Sequence, residues 1–143
     1  MFYYTFEEEF MKKSYKTYGH AKTNLKYHVI FSTKFRRKCL SRIRNEVLDS
    51  FRYSESLSDF SILKMELDKD HIHFLLEFKP SLSIQSIVNR LKQISTNYLY
   101  KKCGSYLRKF YCGKNYLWTR GYFVSTIGEA SEKTLIRYIE NQG

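Results

Sequence analysis

The chain has 143 residues, of which 43% are hydrophobic, and its 25 Lys+Arg against 14 Asp+Glu give a formal net charge of +11. This length and apolar content suit one domain with one core, and they exclude a disordered tail or a two-domain protein. A charge of this size favours a polyanionic partner, with nucleic acid first and an anionic membrane surface second.

The first regular pattern begins after an N-terminal stretch that shows none. Residues 1–22 are therefore predicted to be an appended arm, and residues 23–143 a single domain. Alternation over residues 27–33 predicts a half-buried strand with Tyr27, Val29 and Phe31 on one side and His28, Ile30 and Ser32 on the other. A basic loop, residues 34–38, follows this strand.

Helix and hairpin signals come next. Ser41 is a candidate N-cap for an amphipathic helix that ends near residue 56. Residues 60–67 and 71–78 then predict a β-hairpin, with Leu63, Met65 and Leu67 on one side of its first strand and a turn at residues 68–70.

The second helix has the strongest periodicity in the chain. It follows Pro80 and extends over about four turns. Its apolar positions recur at helical spacing and comprise Ile84, Ile87, Val88, Leu91, Ile94, Tyr98 and Leu99. An irregular stretch, a short strand at residues 122–126 and a last helix beginning after Ser131 complete the order. This order predicts an α+β fold, a ferredoxin-like antiparallel sheet with helices on one face.

Positive charge is concentrated in two regions. One is the segment 34–44, which has six bases and no acid. The other is the interval between Glu77 and Glu129, which has nine bases, no carboxylate, six tyrosines and Trp118. Bases contact phosphates and aromatic rings stack on unpaired nucleobases, so the composition favours single-stranded nucleic acid as partner.

His71 and His73 are two residues apart on a predicted strand, so both imidazoles lie on one face of the sheet. Such a pair can bind a metal ion, although an isolated His-x-His is more often two surface histidines. Asp68 and Asp70 lie beside the pair and can orient the imidazoles from a second shell.

Tyr138 and Gln142 are four residues apart in the last predicted helix and therefore share one face. Gln142 offers a carboxamide oxygen as a third metal ligand. A tyrosine has a pKa near 10, so Tyr138 as a nucleophile would need a nearby cation or base and a phosphate polarised by metal. A packing role is the common alternative for such a tyrosine.

In chain order these blocks resemble the single-tyrosine HUH transposases of insertion sequences, the TnpA or IS200-like type. The similar segments are Lys34-Phe35-Arg36-Arg37-Lys38, Asp68-Lys69-Asp70-His71-Ile72-His73, residues 117–128 and Tyr138-Ile139-Glu140-Asn141-Gln142. The resemblance extends from about residue 24 to residue 142.

The resemblance implies a DNA strand transferase and endonuclease in which His71, His73 and Gln142 bind Mg²⁺ or Mn²⁺. Tyr138 would attack a DNA phosphate to form a 5′-phosphotyrosine. It also implies a homodimer that acts on single-stranded DNA with hairpins at element ends. Arg36, Arg37, Arg90 and Lys92 are the candidate DNA contacts.

Two other functions remain open from the sequence. One is a non-catalytic module that binds single-stranded or hairpin nucleic acid, and the other is an HUH replication initiator or relaxase. No apolar run approaches the ~18 residues of a membrane span, and the acids near the N-terminus do not resemble a signal peptide. Three cysteines without CxxC spacing fit reduced thiols, so we expect a cytoplasmic protein.

Overall fold

The structure, a computed structural model, describes residues 25–126. Their order is β1 (Leu25–Ser32), α1 (Arg44–Ser56), β2 (Phe60–Leu67), β3 (His71–Phe78), α2 (Ile84–Arg108) and β4 (Phe123–Thr126), with short 3₁₀ turns at Lys34–Arg36 and Ser41–Ile43. The predicted arm, the last predicted helix, Tyr138 and Gln142 lie outside the described residues.

The four strands form one sheet in the order β2-β3-β1-β4, and every neighbouring pair is antiparallel. This confirms the predicted α+β, ferredoxin-like architecture. Strands β3 and β1 occupy the centre, so a residue on either has a neighbouring strand on both sides.

One face of the sheet forms the hydrophobic core with the helices. Phe31 and Phe74 lie on this face and pack against Phe51 of α1, with ring centroids 6.2 and 4.7 Å away respectively. Val88 and Leu91 of α2 are buried in the same cluster. Burial of large aromatic side chains is a strong stabilising contribution, so this layer fixes the positions of the two central strands.

Three local features of the structure differ from or extend the sequence predictions. Leu63 is 44% exposed, because a register shift between Ile62 and Lys64 inserts an extra residue and turns Leu63 away from the core. Ser41 caps no helix; it lies in the 3₁₀ turn, and α1 begins at Arg44 without a side-chain cap. Helix α2 has 25 residues and continues past the predicted four turns to Arg108, with a kink at Cys103.

The aromatic residues of segment 79–120 mostly serve the core rather than the surface. Trp118 is 8% exposed, and its indole N–H donates to the Ser95 hydroxyl at 3.0 Å. Tyr111 is buried and donates to the Lys34 carbonyl at 3.0 Å, and Tyr100 is buried as well. The expectation that these rings stack on bases is therefore wrong for these three residues.

Candidate metal centre and basic loop

The two motif histidines lie on the sheet face opposite the helices. His71 pairs with Ser32 and His73 with Ile30 in the antiparallel register, and directly opposed residues share a face. The two-residue period predicted this shared side. The histidines are nevertheless only 7% and 0% exposed, so the reading as two surface histidines is wrong.

Asp70 orients the first of these histidines. Its Oδ1 lies 2.9 Å from His71 Nδ1, and its Oδ2 accepts from Arg36 Nε at 3.0 Å. Burial alone raises the pKa of Asp70, but the hydrogen bonds from His71 and Arg36 outweigh it and hold the pKa below its usual range. An ionised carboxylate only accepts, so the proton lies on His71 Nδ1, and Nε2 is the nitrogen that would ligate a metal.

The second histidine has an imidazole partner that the motif does not contain. His28 on β1 is fully buried, and its Nδ1 lies 3.1 Å from His73 Nε2. Burial lowers the pKa of His28 to about 4. Burial, with the nearby charges of His28, His71 and Lys64, lowers the pKa of His73 to about 3. Both rings are thus neutral near pH 7, which is the form that ligates metals.

The donor set fits a divalent cation but is not complete among residues 25–126. Within this range, no group of three His, Cys, Asp or Glu side chains is arranged to hold a metal ion. His71 and His73 supply two imidazoles, and the predicted third ligand, Gln142, lies outside the described range. A site with two imidazoles and one amide oxygen leaves coordination positions for substrate oxygens.

The basic loop 34–38 is bonded directly to the segment that precedes His71. The Thr33 amide donates to the Asp70 carbonyl at 2.9 Å, and the Leu40 amide donates to the Lys69 carbonyl at 3.0 Å. Arg36 adds its ion pair with Asp70, whose Nη2 to Oδ2 distance is 2.9 Å. Arg37 Nε donates to the Phe110 carbonyl at 3.3 Å. The loop therefore lies at the same end of β3 as the histidines.

The other two candidate DNA contacts lie on α2. Arg90 donates to the Leu57 carbonyl at 2.7 Å and so binds the C-terminal end of α1. Lys92 donates from Nζ to the carbonyls of Thr119, Arg120 and Gly121 at 2.8, 3.0 and 3.1 Å. Burial lowers the pKa of Lys92 to about 8. Both residues thus hold the fold, and their contact with DNA stays a prediction.

The sequence reasoning missed His28 as part of the site. Its side of β1 was correct, but nothing local indicates that β1 pairs with β3 in the register that places His28 beside His73. A usable signal was present: β1 carries a histidine on the face that its alternation assigns away from the core. Two strands with histidines on their non-core faces are candidates for pairing.

The α+β fold and the paired histidines His71 and His73 agree with the class of transposases that the sequence blocks resemble. The family model described as "Transposase IS200 like" matches residues 21–142. The chain belongs to this family of IS200-like transposases. No helix among residues 25–126 is long and apolar enough to span a membrane.

Relatives and solved structures agree with this assignment. The IS200 transposase of Salmonella typhimurium is 34% identical over 128 residues, which cover 89% of this chain and 82% of the relative. The ISDra2 transposase TnpA of Deinococcus radiodurans is 28% identical and covers 82% and 84%. A crystal structure of a candidate transposase from Deinococcus radiodurans has a TM-score of 0.75 at 28% identity and covers 83% and 91%.

A more distant structure shares the fold alone. The REP-associated tyrosine transposase bound to a REP hairpin has a TM-score of 0.54 at 12% identity, and the match covers 82% of this chain and 64% of that one.

Proposed function

We propose that this transposase is metal-dependent and cleaves and rejoins single-stranded DNA at element ends through a 5′-phosphotyrosine on Tyr138. The observation that carries the proposal is the buried histidine pair. His71 is oriented by Asp70 at 2.9 Å, and His73 lies 3.1 Å from His28. Burial keeps the pKa of His73 near 3. Two histidines that were only part of a polar surface would be exposed and would not require these buried partners.

We assign His71, His73 and Gln142 as the ligands and Mg²⁺ or Mn²⁺ as the ion. When bound, the ion would act as a Lewis acid toward the scissile phosphate. Asp70 fixes the ring of His71 through Nδ1, and Arg36 in turn fixes Asp70. The role of this chain's own residues is thus to hold two imidazoles in place before the substrate arrives.

Tyr138 is the proposed nucleophile. Its phenolic oxygen forms a bond to phosphorus, the bond from phosphorus to the 3′ oxygen breaks, and the phenolic proton is passed on so that a 3′-hydroxyl is released. One phosphodiester replaces another, so a later 3′-hydroxyl can reverse the step and join new ends without ATP.

The substrate proposal is single-stranded DNA that carries hairpins. It is supported by the net charge of +11 and by the shared fold of a tyrosine transposase that was solved with a hairpin. Arg36, Arg37, Arg90 and Lys92 are the proposed contacts, and Lys92 would have to release one of its three carbonyl acceptors to bind a phosphate. An arginine has five N–H donors, so Arg36, Arg37 and Arg90 can bind phosphate while keeping their bonds to the protein. We also propose a homodimer, which light scattering of the purified protein would test.

Covalent adduct formation tests the function. Single-stranded DNA covering each flank of the reading frame is incubated with the protein and Mg²⁺ or Mn²⁺, and adducts are separated on a denaturing gel. We expect an adduct with the wild type and none with Tyr138→Phe. Tyr122→Phe is the matched control, because its hydroxyl bonds to Gln85 at 2.9 Å, outside the proposed site. Equal adduct from wild type and Tyr138→Phe would refute the nucleophile.

The same experiment separates the alternatives. Metal-independent binding without any adduct would instead identify a nucleic-acid binding module. Cleavage that prefers a replication origin over the element flanks would identify an initiator or relaxase.

A further inference from the structure

Phe35 in the basic loop is the most exposed large hydrophobic side chain that the structure describes, at 58%. Two cations lie near its ring. Lys34 Nζ is 5.7 Å and Arg37 Cζ is 5.5 Å from the centre of its ring. A single exposed aromatic ring needs no explanation by itself, but one flanked by positive charge resembles the stacking platforms that bind unpaired bases.

The backbone holds this ring in an unfavourable conformation. Phe35 has φ = 58° and Arg36 has φ = 51°, so two consecutive residues with side chains occupy the left-handed region. This region is unfavourable for a bulky residue, and an exposed ring gains little burial to offset it. Glycine or asparagine would fit the same turn with less strain. Such an outlier is more common where a site requires the conformation.

The loop around the ring is held rigidly. The Lys34 amide donates to the Leu117 carbonyl at 2.7 Å, and the Thr33 amide donates to the Asp70 carbonyl at 2.9 Å. These bonds preorganise the ring, so stacking would require little ordering of the loop on binding.

The residue next to Phe35 is connected to the candidate metal centre by two side-chain contacts. This residue, Arg36, pairs with Asp70, and Asp70 bonds to His71. A DNA strand whose phosphate reaches the histidines would therefore pass the basic loop, where an unpaired base meets the ring and adjacent phosphates meet Lys34 and Arg37.

We propose that Phe35 is a base-stacking residue that holds an unpaired nucleobase of the single-stranded substrate beside the cleavage site. The proposal rests on the proposed function for its substrate class. Unpaired DNA fits better than a second copy of the chain, because the flanking groups are cations suited to phosphates and the bases of a duplex are already stacked.

The test is a coupling experiment between protein and DNA. Phe35→Asn removes the ring and keeps a residue that tolerates positive φ. Phe35→Trp keeps a ring. Tyr53→Ala is the matched control, because Tyr53 is a ring 47% exposed on α1. The probes are single-stranded flank oligonucleotides in which each position in turn is abasic, and affinity is measured by fluorescence anisotropy.

We expect Phe35→Asn to bind about 10-fold or more weaker with equal or higher thermal stability, whereas Phe35→Trp and Tyr53→Ala bind like the wild type. At one position, an abasic site should weaken the wild type but leave Phe35→Asn unchanged. Wild-type affinity in Phe35→Asn, or the same abasic profile in both proteins, would overturn the stacking role. A changed oligomeric state without abasic coupling would also overturn it, in favour of contact with a second copy.

The outcome is separable from the proposed function. If the wild type forms no adduct but the abasic coupling is present, the catalytic proposal fails and the stacking role stands. If adduct forms normally and no position is coupled to Phe35, only the stacking role fails.

Discussion

The basic loop 34–38 and the segment 79–120 are similar in composition but different in structure. In the loop, Lys34 and Arg37 flank the exposed ring of Phe35, and Arg36 is tied to the candidate metal centre through Asp70. In the longer segment, Trp118 and the other buried rings belong to the core. Positive charge interleaved with aromatic residues can thus serve either a binding surface or a fold, and only the contacts distinguish the two.

The largest expected effect concerns the carboxylate that joins the loop to the metal centre. Asp70→Asn removes the charge that pairs with Arg36 and weakens the acceptor for His71 Nδ1. We expect Mn²⁺ affinity to fall about 10- to 100-fold, with a similar loss of adduct formation. Isothermal titration measures the affinity. Asp68→Asn is the control, because the Asp68 carboxylate accepts from the neighbouring Lys69 amide; an equal loss in both variants would refute the positioning role.

Low pH should destabilise the protein through the two buried histidines of the candidate metal centre. Burial lowers the pKa of His28 to about 4 and of His73 to about 3, so below pH 6.5 the unfolded chain binds protons that the folded chain does not. The free energy of unfolding then falls as pH falls from 6.5 toward 4, by up to about 1.4 kcal/mol per pH unit for each histidine.

Urea unfolding in a metal chelator at pH 6.5 and pH 5.0 measures this dependence. His28→Gln removes one of the two titrating groups, so its unfolding free energy should change less between these two pH values. An unchanged difference would show that His28 does not titrate on unfolding.

Replacing Lys92 tests whether the segment 79–120 stabilises the fold. Lys92→Met removes the donor to the carbonyls of residues 119–121, and we expect a loss of about 1–3 kcal/mol in the free energy of unfolding. Lys101→Met, an exposed position of the same helix, should change stability by less than about 0.5 kcal/mol. Denaturant titration measures both. Equal stability of the two variants would contradict the structural role.

Replacing Arg37 in the loop should have the smallest effect. In contrast to Lys92, it should change DNA binding and not stability. We expect Arg37→Ala to keep nearly the wild-type stability while the slope of log affinity against log salt for single-stranded DNA decreases by about 0.7. Anisotropy titrations over a range of salt concentrations measure the slope. An unchanged slope would remove Arg37 from the phosphate contacts.

Local patterns predicted much of this fold. The hairpin strands 60–67 and 71–78 agree with the structure at both ends, and the two-residue period assigned His71 and His73 to one face. Turn signals and alternation act over a few residues, so they can be read directly. The bulge at Leu63 shifts that period within a strand, and no turn residue marks it.

The contacts that build the site are mostly long-range and could not be predicted in this way. His28 lies 45 positions from His73, and Arg36 lies 34 positions from Asp70. Which strand pairs with which, and in what register, decides these contacts. The burial of Trp118 and the exposure of Phe35 likewise depend on where the helices pack, which residue type does not determine.

Mn²⁺ binding measured by isothermal titration at pH 7.5 tests whether His71 and His73 hold a divalent metal ion. We expect the wild type to bind one ion per chain, and His71→Ala and His73→Ala each to abolish this binding while remaining folded by circular dichroism. Lys101→Met should bind like the wild type. Binding of one Mn²⁺ with wild-type affinity in both folded histidine variants would contradict the account.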